Sequence, residues 1–308
     1  MMIIRWGLTG ALFFAATACT EADRQSTAGT APDIMTWPDL TSRPLPEPST
    51  TIRYQDGDAG VIDLWLPDGD GPHPVVVMIH GGCWQKAIAD RTLMNYAAED
   101  LRQRGLAVWN IEYRGVDEDG GGYPGTFLDV AAAIDALDDT APTFDLDSDH
   151  VAAFGHSAGG HLAVWAASRA SLAPSSPLYI DDPLPLTAVV NAGGLADLEA
   201  SEPLTLASCL AVIKDTLIGD ASTLRPDPLS DTSPTELLPP RAAIMSVNGS
   251  LDRIAPPVLG IELTATIVGA NGDASFHEVE NAGHVELIAP GTDAFELEAS
   301  LLLTALER

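Results

Sequence analysis

The stretch "FGHSAGGHLAVWAAS" (residues 154–168) places Ser157 among three glycines, after a short apolar run and before an Ala-rich one. The first run predicts a strand and the second a helix. Gly155 and Gly159 complete the pattern G-x-S-x-G, in which a serine occupies a sharp strand-to-helix turn. Such a turn leaves room only for small residues two positions before and after the serine. A glycine-rich packing turn is the alternative, but the strand–turn–helix context favours a nucleophilic serine.

The rest of the chain alternates between strand and helix patterns. Two short runs at 51–55 and 60–67 predict a hairpin, and an apolar β-branched run at 74–80 predicts a strand buried on both faces. The alternation predicts an α/β fold, with a mostly parallel central sheet and helices on both faces. Further strands are predicted at 106–114, 149–157, 186–194 and 241–250, and a last one within 274–284 that ends before His284; helices are predicted at 91–105, 123–139, 158–170, 256–269 and 293–307.

Two finer predictions concern the helices. In the helix at 123–139, Leu128, Ile134 and Leu137 are expected on one side. Prolines interrupt the alternation over residues 174–240, where we expect a partial lid or cap that contains a helix at 207–218.

The composition and charge of the chain argue against a nucleic-acid partner. The 308-residue chain is 46% hydrophobic and 19% charged, which is typical of a globular protein. Its formal net charge is −29, and Lys86 and Lys214 are its only lysines. Such an acidic surface repels phosphates, which argues against a nucleic-acid partner. Acidic residues are spread along the whole chain, so a solvated surface is favoured over an acidic binding patch.

The first twenty residues, "MMIIRWGLTGALFFAATACT", carry one positive charge and then an apolar run too short to span a bilayer. This pattern predicts a signal peptide over residues 1–18. Cys19 follows small residues, as in a bacterial lipobox, so we expect an exported protein anchored in the membrane by a lipidated Cys19. The alternative is ordinary cleavage, for which Ala16 and Ala18 are suitable, and a soluble periplasmic or secreted protein.

Residues 19–50 are rich in Thr, Ser, Pro and Asp and show no apolar period. They predict a flexible tether between the membrane and a catalytic domain over 51–308. Within the tether, Trp37 and Leu40 are the only residues that we expect to be able to dock on another surface.

Two further cysteines, Cys83 and Cys209, lie far apart in the chain. Their pairing cannot be deduced from sequence, and two buried free thiols are favoured over a disulfide. The histidines and cysteines show no metal-ligand spacing and the chain has no P-loop pattern, so we expect neither a metal nor a cofactor.

A nucleophilic serine needs backbone donors for the oxyanion, a base and an acid that orients the base. Residues 78–84, "MIHGGCW", follow a buried strand, and Gly81 and Gly82 there would let backbone N–H groups approach a substrate oxygen. A simple Gly-Gly turn is the alternative. These glycines therefore predict an oxyanion loop.

Asp252, in a tight turn after the strand at 241–250, is the best candidate for the acid, with Asp220 and Asp231 as rivals outside strand ends. An aspartate that only forms the turn is the alternative. His284 is the one histidine in a loop after the last predicted strand, which favours it as the base. The order Ser157, Asp252, His284 is that of α/β-hydrolases.

On these motifs the chain from about residue 50 onward resembles a serine hydrolase of the α/β-hydrolase superfamily. "HGGCW", "EYRG…GGYPGTFLDVAAAID" and "GHSAGGHLA" resemble the esterase and kynurenine formamidase-like branch, near the hormone-sensitive-lipase-like enzymes. The resemblance implies Ser157 as nucleophile, His284 as base and Asp252 as its orienting partner.

The resemblance also implies that the backbone N–H groups of Gly81, Gly82 and Ala158 form the oxyanion hole. The chain departs from the family pattern at Cys83, where many relatives have a third glycine or an aromatic residue.

The expected activity is hydrolysis of carboxylic esters with small to medium acyl groups through an acyl-enzyme. An amidase of the arylformamidase or kynurenine formamidase type, or an oligopeptidase-type peptidase, is the alternative. A non-catalytic surface binding protein on the same scaffold is a third hypothesis. All three triad residue types occur in the expected order, which argues against it. The expected partner is a small-molecule ester or amide.

Overall fold

The structure, a computed structural model, describes residues 33–307, in which eight strands form one sheet. Its strand order is β1-β2-β4-β3-β5-β6-β7-β8. The first two strands are antiparallel to their neighbours, and all other pairs are parallel. The strands are β1 (Thr50–Arg53), β2 (Val61–Trp65), β3 (His73–Ile79), β4 (Ala107–Ile111), β5 (Leu146–His156), β6 (Ala188–Ala192), β7 (Ala243–Gly249) and β8 (Ala274–Val279).

Each connection between consecutive parallel strands, from β3 to β8, contains at least one helix. The helices are α1 (Trp37–Thr41), α2 (Asn95–Gln103), α3 (Gly125–Phe144), α4 (Ala158–Ser168), α5 (Leu198–Ser201), α6 (Lys214–Ile218), α7 (Pro257–Gly269) and α8 (Asp293–Leu306). A 3-10 turn, Arg91–Met94, leads into α2. The predicted hairpin, the mostly parallel sheet and the helix layers on both faces are therefore confirmed.

Strand β3 explains why the sheet has two hydrophobic cores. Val75, Val77 and Ile79 lie in one buried cluster, and the alternate residues Val76 and Met78 lie in the other. All five side chains are fully buried. A strand with helices on both faces needs apolar residues at both parities, which is why β3 is a continuous apolar run.

The parallel register brings the ends of strands β3, β5, β6, β7 and β8 to one edge of the sheet. Ile79 pairs with Gly155, and Gly155 pairs in turn with Asn191. The loops that carry the predicted site residues follow these strand ends directly. In open α/β sheets this edge is where ligands bind.

Residues 1–32, which include the predicted signal peptide and Cys19, lie outside the described residues. The C-terminal part of the predicted tether differs from expectation, because Trp37–Thr41 is helical and Leu40 is fully buried. The Tyr96 hydroxyl donates to the carbonyl oxygen of Arg43 at 3.3 Å, and the Asn95 side chain donates to that of Pro46 at 3.0 Å. The chain from Ile34 onward belongs to the same compact unit as the sheet.

Part of the range 174–240, where a partial lid is expected, belongs to the sheet, as the predicted strand at 186–194 implied. This range contains β6, an interior strand of the sheet. The helix predicted at 207–218 is shorter, since only Lys214–Ile218 is helical. Buried Leu198 and Leu217 join one of the two cores, so much of the segment is part of the domain.

Cys83 and Cys209 form a disulfide with a Cα–Cα distance of 5.0 Å, so the interpretation as two free thiols is wrong. The pairing escaped prediction because the contact depends on how a long loop returns to the sheet. Among residues 33–307, no helix has the length and apolar character needed to cross a membrane.

Candidate active site

Ser157 occupies the turn between β5 and α4 with φ 56° and ψ −119°. A residue with a side chain is strained in this region, and such strain is concentrated at functional sites. A Cβ on Gly155 would collide with the carbonyl oxygen of Gly159, and a Cβ on Gly159 would lie 2.5 Å from that of His80. Both positions therefore require glycine, as the motif predicted.

His284 and Asp252 form a buried pair in the loops after β8 and β7. The Nδ1 atom of His284 lies 2.6 Å from Oδ2 of Asp252. Oδ1 of Asp252 accepts the backbone N–H groups of Ile254 at 2.8 Å and Ala255 at 2.9 Å. Because a carboxylate only accepts, Nδ1 carries the proton in this pair. In the neutral ring, Nε2 then has a free lone pair.

The rival aspartates occupy other positions. Asp231 is buried, and its Oδ1 accepts the Nε–H of Arg225 at 2.8 Å. Its Oδ2 accepts the hydroxyls of Ser176 at 2.7 Å and Tyr123 at 3.2 Å. Asp220 is exposed in the loop after α6. Of the three candidates, the structure pairs Asp252 with His284.

Ser157 and His284 line the same pocket, which has a volume of about 330 Å³. This volume is at the lower end of the range for small-molecule sites. Most of its walls are apolar. Its lining residues are Trp37, Thr41, Gly82, Cys83, Ile88, Ala89, Leu93, His156, Ser157, Leu206, Ser208, Ile254 and His284.

The glycine loop after β3 approaches Ser157 closely. A Cβ on Gly81 would lie 2.8 Å from Nδ1 of His156 and 3.1 Å from Cβ of Ser157, so a side chain here would crowd both residues. Gly82 has φ 110° and lines the pocket. Ala158 is the first residue of α4, and its N–H therefore has no partner within that helix. The three predicted oxyanion donors thus lie on elements that meet around Ser157.

His80 fixes the orientation of this loop. Its Nδ1 atom lies 2.7 Å from the carbonyl oxygen of Gly81, and its Nε2 lies 2.9 Å from Oε1 of Glu112. The C=O and N–H of a trans peptide point in opposite directions. A hydrogen bond from His80 to the Gly81 oxygen therefore turns the N–H of Gly82 away from His80.

Glu112 is buried among positive partners. Burial alone would raise its pKa, but hydrogen bonds from His80 and Lys86 and their charges lower the pKa to about 2. The Nζ of Lys86 lies 2.7 Å from Oε2 of Glu112. Glu112 is therefore an anion at neutral pH. It anchors His80 beneath the loop.

A second histidine, His156, packs against the predicted base, with ring centroids 4.4 Å apart. Its Nε2 donates to the carbonyl oxygen of His284 at 3.1 Å. Burial, and then the nearby charge of His284, lower the pKa of His156 well below its usual range. His156 is thus neutral and supports the His284 loop by packing and one hydrogen bond.

Two residues at the site were missed by the sequence reasoning. Gly193 follows β6 with φ 53°, and a Cβ there would lie 3.1 Å from Nδ1 of His284 and 3.2 Å from Oδ2 of Asp252. The Gly-Gly pair directly after a buried strand was the available signal. Trp37, expected only as a tether residue able to dock, lies edge-on to the His284 ring at 6.3 Å and forms a pocket wall, and no local pattern placed it at the site.

Two curated proteins are similar in sequence to part of this chain. Esterase LipC from Mycobacterium tuberculosis is 26% identical over 250 residues, which are 76% of this chain and 58% of LipC. Isoprenylcysteine alpha-carbonyl methylesterase ICME from Arabidopsis thaliana is 29% identical over 117 residues, 38% of this chain and 26% of ICME. This chain therefore spans only part of the length of these curated relatives.

Solved structures agree on the fold. A truncated carbohydrate esterase from gut microbiota superimposes with a TM-score of 0.69 at 21% identity, over 84% of this chain and 97% of that one. Esterase B from Lactobacillus Rhamnosis gives 0.70 at 20% identity, over 84% and 86%. The family model BD-FAE matches residues 62–267, which carry Ser157, Asp252 and the glycine loop. The chain has the α/β-hydrolase fold and belongs to the BD-FAE family.

Proposed function

We propose that this protein is a carboxylesterase that uses Ser157, His284 and Asp252 as a catalytic triad. The observation that carries the proposal is the buried Asp252–His284 hydrogen bond, at 2.6 Å, beside a pocket that Ser157 and His284 both line. Esterases among the relatives and structural neighbours support the reaction class.

In the first half-reaction, Oγ of Ser157 attacks the ester carbonyl carbon while Nε2 of His284 takes the hydroxyl proton. Asp252 stabilises the resulting imidazolium through Nδ1. The carbonyl oxygen becomes an oxyanion, which accepts hydrogen bonds from the N–H groups of Gly82 and Ala158, with Gly81 as a further donor. The imidazolium then protonates the leaving alcohol, and an acyl-Ser157 ester remains.

Water completes the reaction by the same route. His284 takes a proton from the water as it attacks the acyl carbonyl, and then returns that proton to Oγ of Ser157. The products are one carboxylic acid and one alcohol. Each step needs His284 in its neutral form at the moment when it accepts a proton.

The substrate class follows from the pocket. Its small volume and its walls of Trp37, Leu93 and Ile254 suit short, apolar acyl groups. We expect acetyl to hexanoyl esters to give the highest kcat/KM, with a gain of at most ~0.8 kcal/mol for each methylene until the pocket is full.

The test is a panel of p-nitrophenyl acetate, butyrate, octanoate and palmitate, together with N-formylkynurenine and aminoacyl-anilides. Wild type is compared with Ser157→Ala and with Ser300→Ala, an exposed serine on α8. We expect the short esters to be hydrolysed by wild type and Ser300→Ala alone. A formamide or anilide preferred by orders of magnitude would replace the esterase by an amidase or peptidase. No Ser157-dependent turnover of any substrate would favour a binding protein.

We also propose that the chain is exported and that Cys19 is lipidated. The Cys83–Cys209 disulfide supports export, since disulfides persist in oxidising compartments. Intact mass of the mature protein tests the anchor. An acylated chain that begins at Cys19 is expected, and an unmodified soluble chain would contradict it.

A further inference from the structure

The disulfide joins two parts of the candidate site. Cys83 comes directly after Gly81 and Gly82, the predicted oxyanion residues, and itself lines the pocket. Cys209 follows Ser208, another lining residue, in the long segment between β6 and β7. One covalent bond therefore connects the oxyanion loop with a separate wall of the pocket.

The oxyanion loop has an unfavourable backbone. Gly82, Cys83 and Trp84 have φ values of 110°, 52° and 54°, so three consecutive residues are left-handed. Residues with side chains persist there only when their surroundings hold them. The Trp84 side chain is fully buried, and its Nε1–H donates to Nδ1 of His161 at 3.2 Å. The Cys83 side chain is held by its bond to Cys209.

The wall on the other side of the bond has little regular structure. Residues 202–213 contain neither strand nor helix, and both Leu206 and Ser208 are exposed at the pocket. Cys209 is fully buried, and its N–H donates to the carbonyl oxygen of Leu206 at 2.8 Å. The buried cysteine thus attaches this turn to the domain.

We propose that Cys83 and Cys209 are a positioning pair, whose disulfide holds the oxyanion donors and the Leu206–Ser208 wall in their catalytic arrangement. This inference rests on the proposed esterase function. A dithiol reductant converts the bond to two thiols and is itself oxidised to a disulfide. The loop can then relax from its left-handed backbone, which moves the N–H of Gly82 away from the position of the oxyanion. The wall loses its attachment at the same time.

The experiment compares oxidised and reduced wild type with p-nitrophenyl butyrate at a temperature well below unfolding. Dithiothreitol is used without oxygen, thiol titration confirms reduction, and circular dichroism confirms that the fold persists. We expect kcat to fall about tenfold or more, because removal of an oxyanion donor costs that much or more. KM should rise as the wall loosens. Reoxidation should restore both values.

The double variant Cys83→Ala/Cys209→Ala should behave like reduced wild type and should not respond to dithiothreitol. This control assigns the effect to the disulfide and not to Cys19. A bond that only stabilises the fold would lower the melting temperature and leave kcat unchanged in folded, reduced protein, which would overturn the proposal. Reduced wild type distinguishes a positioning role of the disulfide from a purely stabilising one even if the double variant does not fold.

The rate at which a fluorophosphonate modifies Ser157 provides a second readout that needs no ester turnover. Slower labelling of the reduced form supports the positioning role, and an equal rate contradicts it. If the oxidised enzyme is labelled but hydrolyses no ester, the proposed substrate class fails, while the labelling comparison still decides the role of the disulfide.

Discussion

The Nδ1 atom of His284 is hydrogen-bonded to Oδ2 of Asp252, whose other oxygen is occupied by two backbone N–H groups. The carboxylate therefore has a fixed orientation before it meets the imidazole. This arrangement sets the ring position and places the free nitrogen lone pair on Nε2. It makes Asp252 the residue on which the tautomer of His284 depends.

Asp252→Asn should lower kcat by roughly three to four orders of magnitude, because an amide N–H facing Nδ1 favours the wrong tautomer. Steady-state kinetics with p-nitrophenyl butyrate measure the loss. Asp220→Asn, an exposed change of the same kind, is the matched control and should leave kcat unchanged. A nearly silent Asp252→Asn would mean that another residue orients the base.

Gly193→Ala should inactivate the enzyme without unfolding it. The new Cβ would lie 2.8 Å from Cδ1 of Leu287, 3.1 Å from Nδ1 of His284 and 3.2 Å from Oδ2 of Asp252, so it would crowd the His–Asp pair from one side. Gly291→Ala is a strict control, because Gly291 also has positive φ, 89°, but a Cβ there meets nothing within 4 Å. Each substitution costs about 1 kcal/mol of stability through its backbone.

Activity and melting temperature are measured on both variants. Together they separate the backbone cost of a side chain at positive φ from the effect of the new contact with His284 and Asp252. We expect both variants to fold, with a larger loss of melting temperature in Gly193→Ala because of its contact with Leu287, and a large loss of kcat in Gly193→Ala alone. Equal activity of the two variants would show that contact of Gly193 with the His–Asp pair has no catalytic consequence.

Trp37→Ala should enlarge the pocket and change the chain-length preference. The indole forms one wall beside His284, so its removal opens apolar space for longer acyl groups. We expect kcat/KM for the butyrate ester to fall and that for the octanoate ester to rise relative to it, since added methylenes gain burial. Trp37→Phe keeps a ring at this position and should retain most of the wild-type preference. An unchanged profile in Trp37→Ala would exclude Trp37 from specificity.

The buried carboxyl of Glu298 should make the stability of the folded protein depend on pH. Its side chain is fully buried in α8, its carboxyl oxygens have no hydrogen-bond partner among residues 33–307, and burial raises its pKa well above the usual range. The folded state therefore favours the neutral acid. The contribution of the neutral Glu298 carboxyl to the free energy of unfolding is fully present below the pKa of Glu298 in the unfolded state. This contribution is lost as pH rises towards the raised pKa of the folded state.

Glu298→Gln should therefore raise the melting temperature more at pH 8 than at pH 5, because the amide cannot ionise. Thermal unfolding of the variant and wild type at both pH values measures this difference. Glu280→Gln, an exposed substitution, should show no such pH-dependent gain. A gain for Glu298→Gln that is equal at the two pH values would contradict a buried, neutral carboxyl.

The positions of the strands along the chain and the nucleophile turn could be predicted because their signals are local. Alternating apolar runs identify buried strands, and the two glycines around Ser157 reflect contacts within that turn and with the neighbouring strand end. The candidate acid and base followed from chain order and strand ends. Their pairing is a contact between two loops, and the sequence offered rivals for the acid that only the structure separates.

Other features depend on long-range packing and escaped prediction. The sequence indicated that Trp37 and Leu40 could dock, but the place where Trp37 docks depends on distant residues such as His156 and His284. Leu128 illustrates a different error, since it is exposed while Ile134 and Leu137 are fully buried. Six residues are about one and two-thirds helical turns, so Leu128 cannot share the face of Ile134.

Mass spectrometry after treatment with a fluorophosphonate shows directly whether Ser157 is the nucleophile. We expect one phosphonyl adduct per chain, located on Ser157, and none in Ser157→Ala, which should fold normally and lose ester hydrolysis by several orders of magnitude. An adduct on a different residue, or full ester hydrolysis by Ser157→Ala, would show that Ser157 is not the nucleophile.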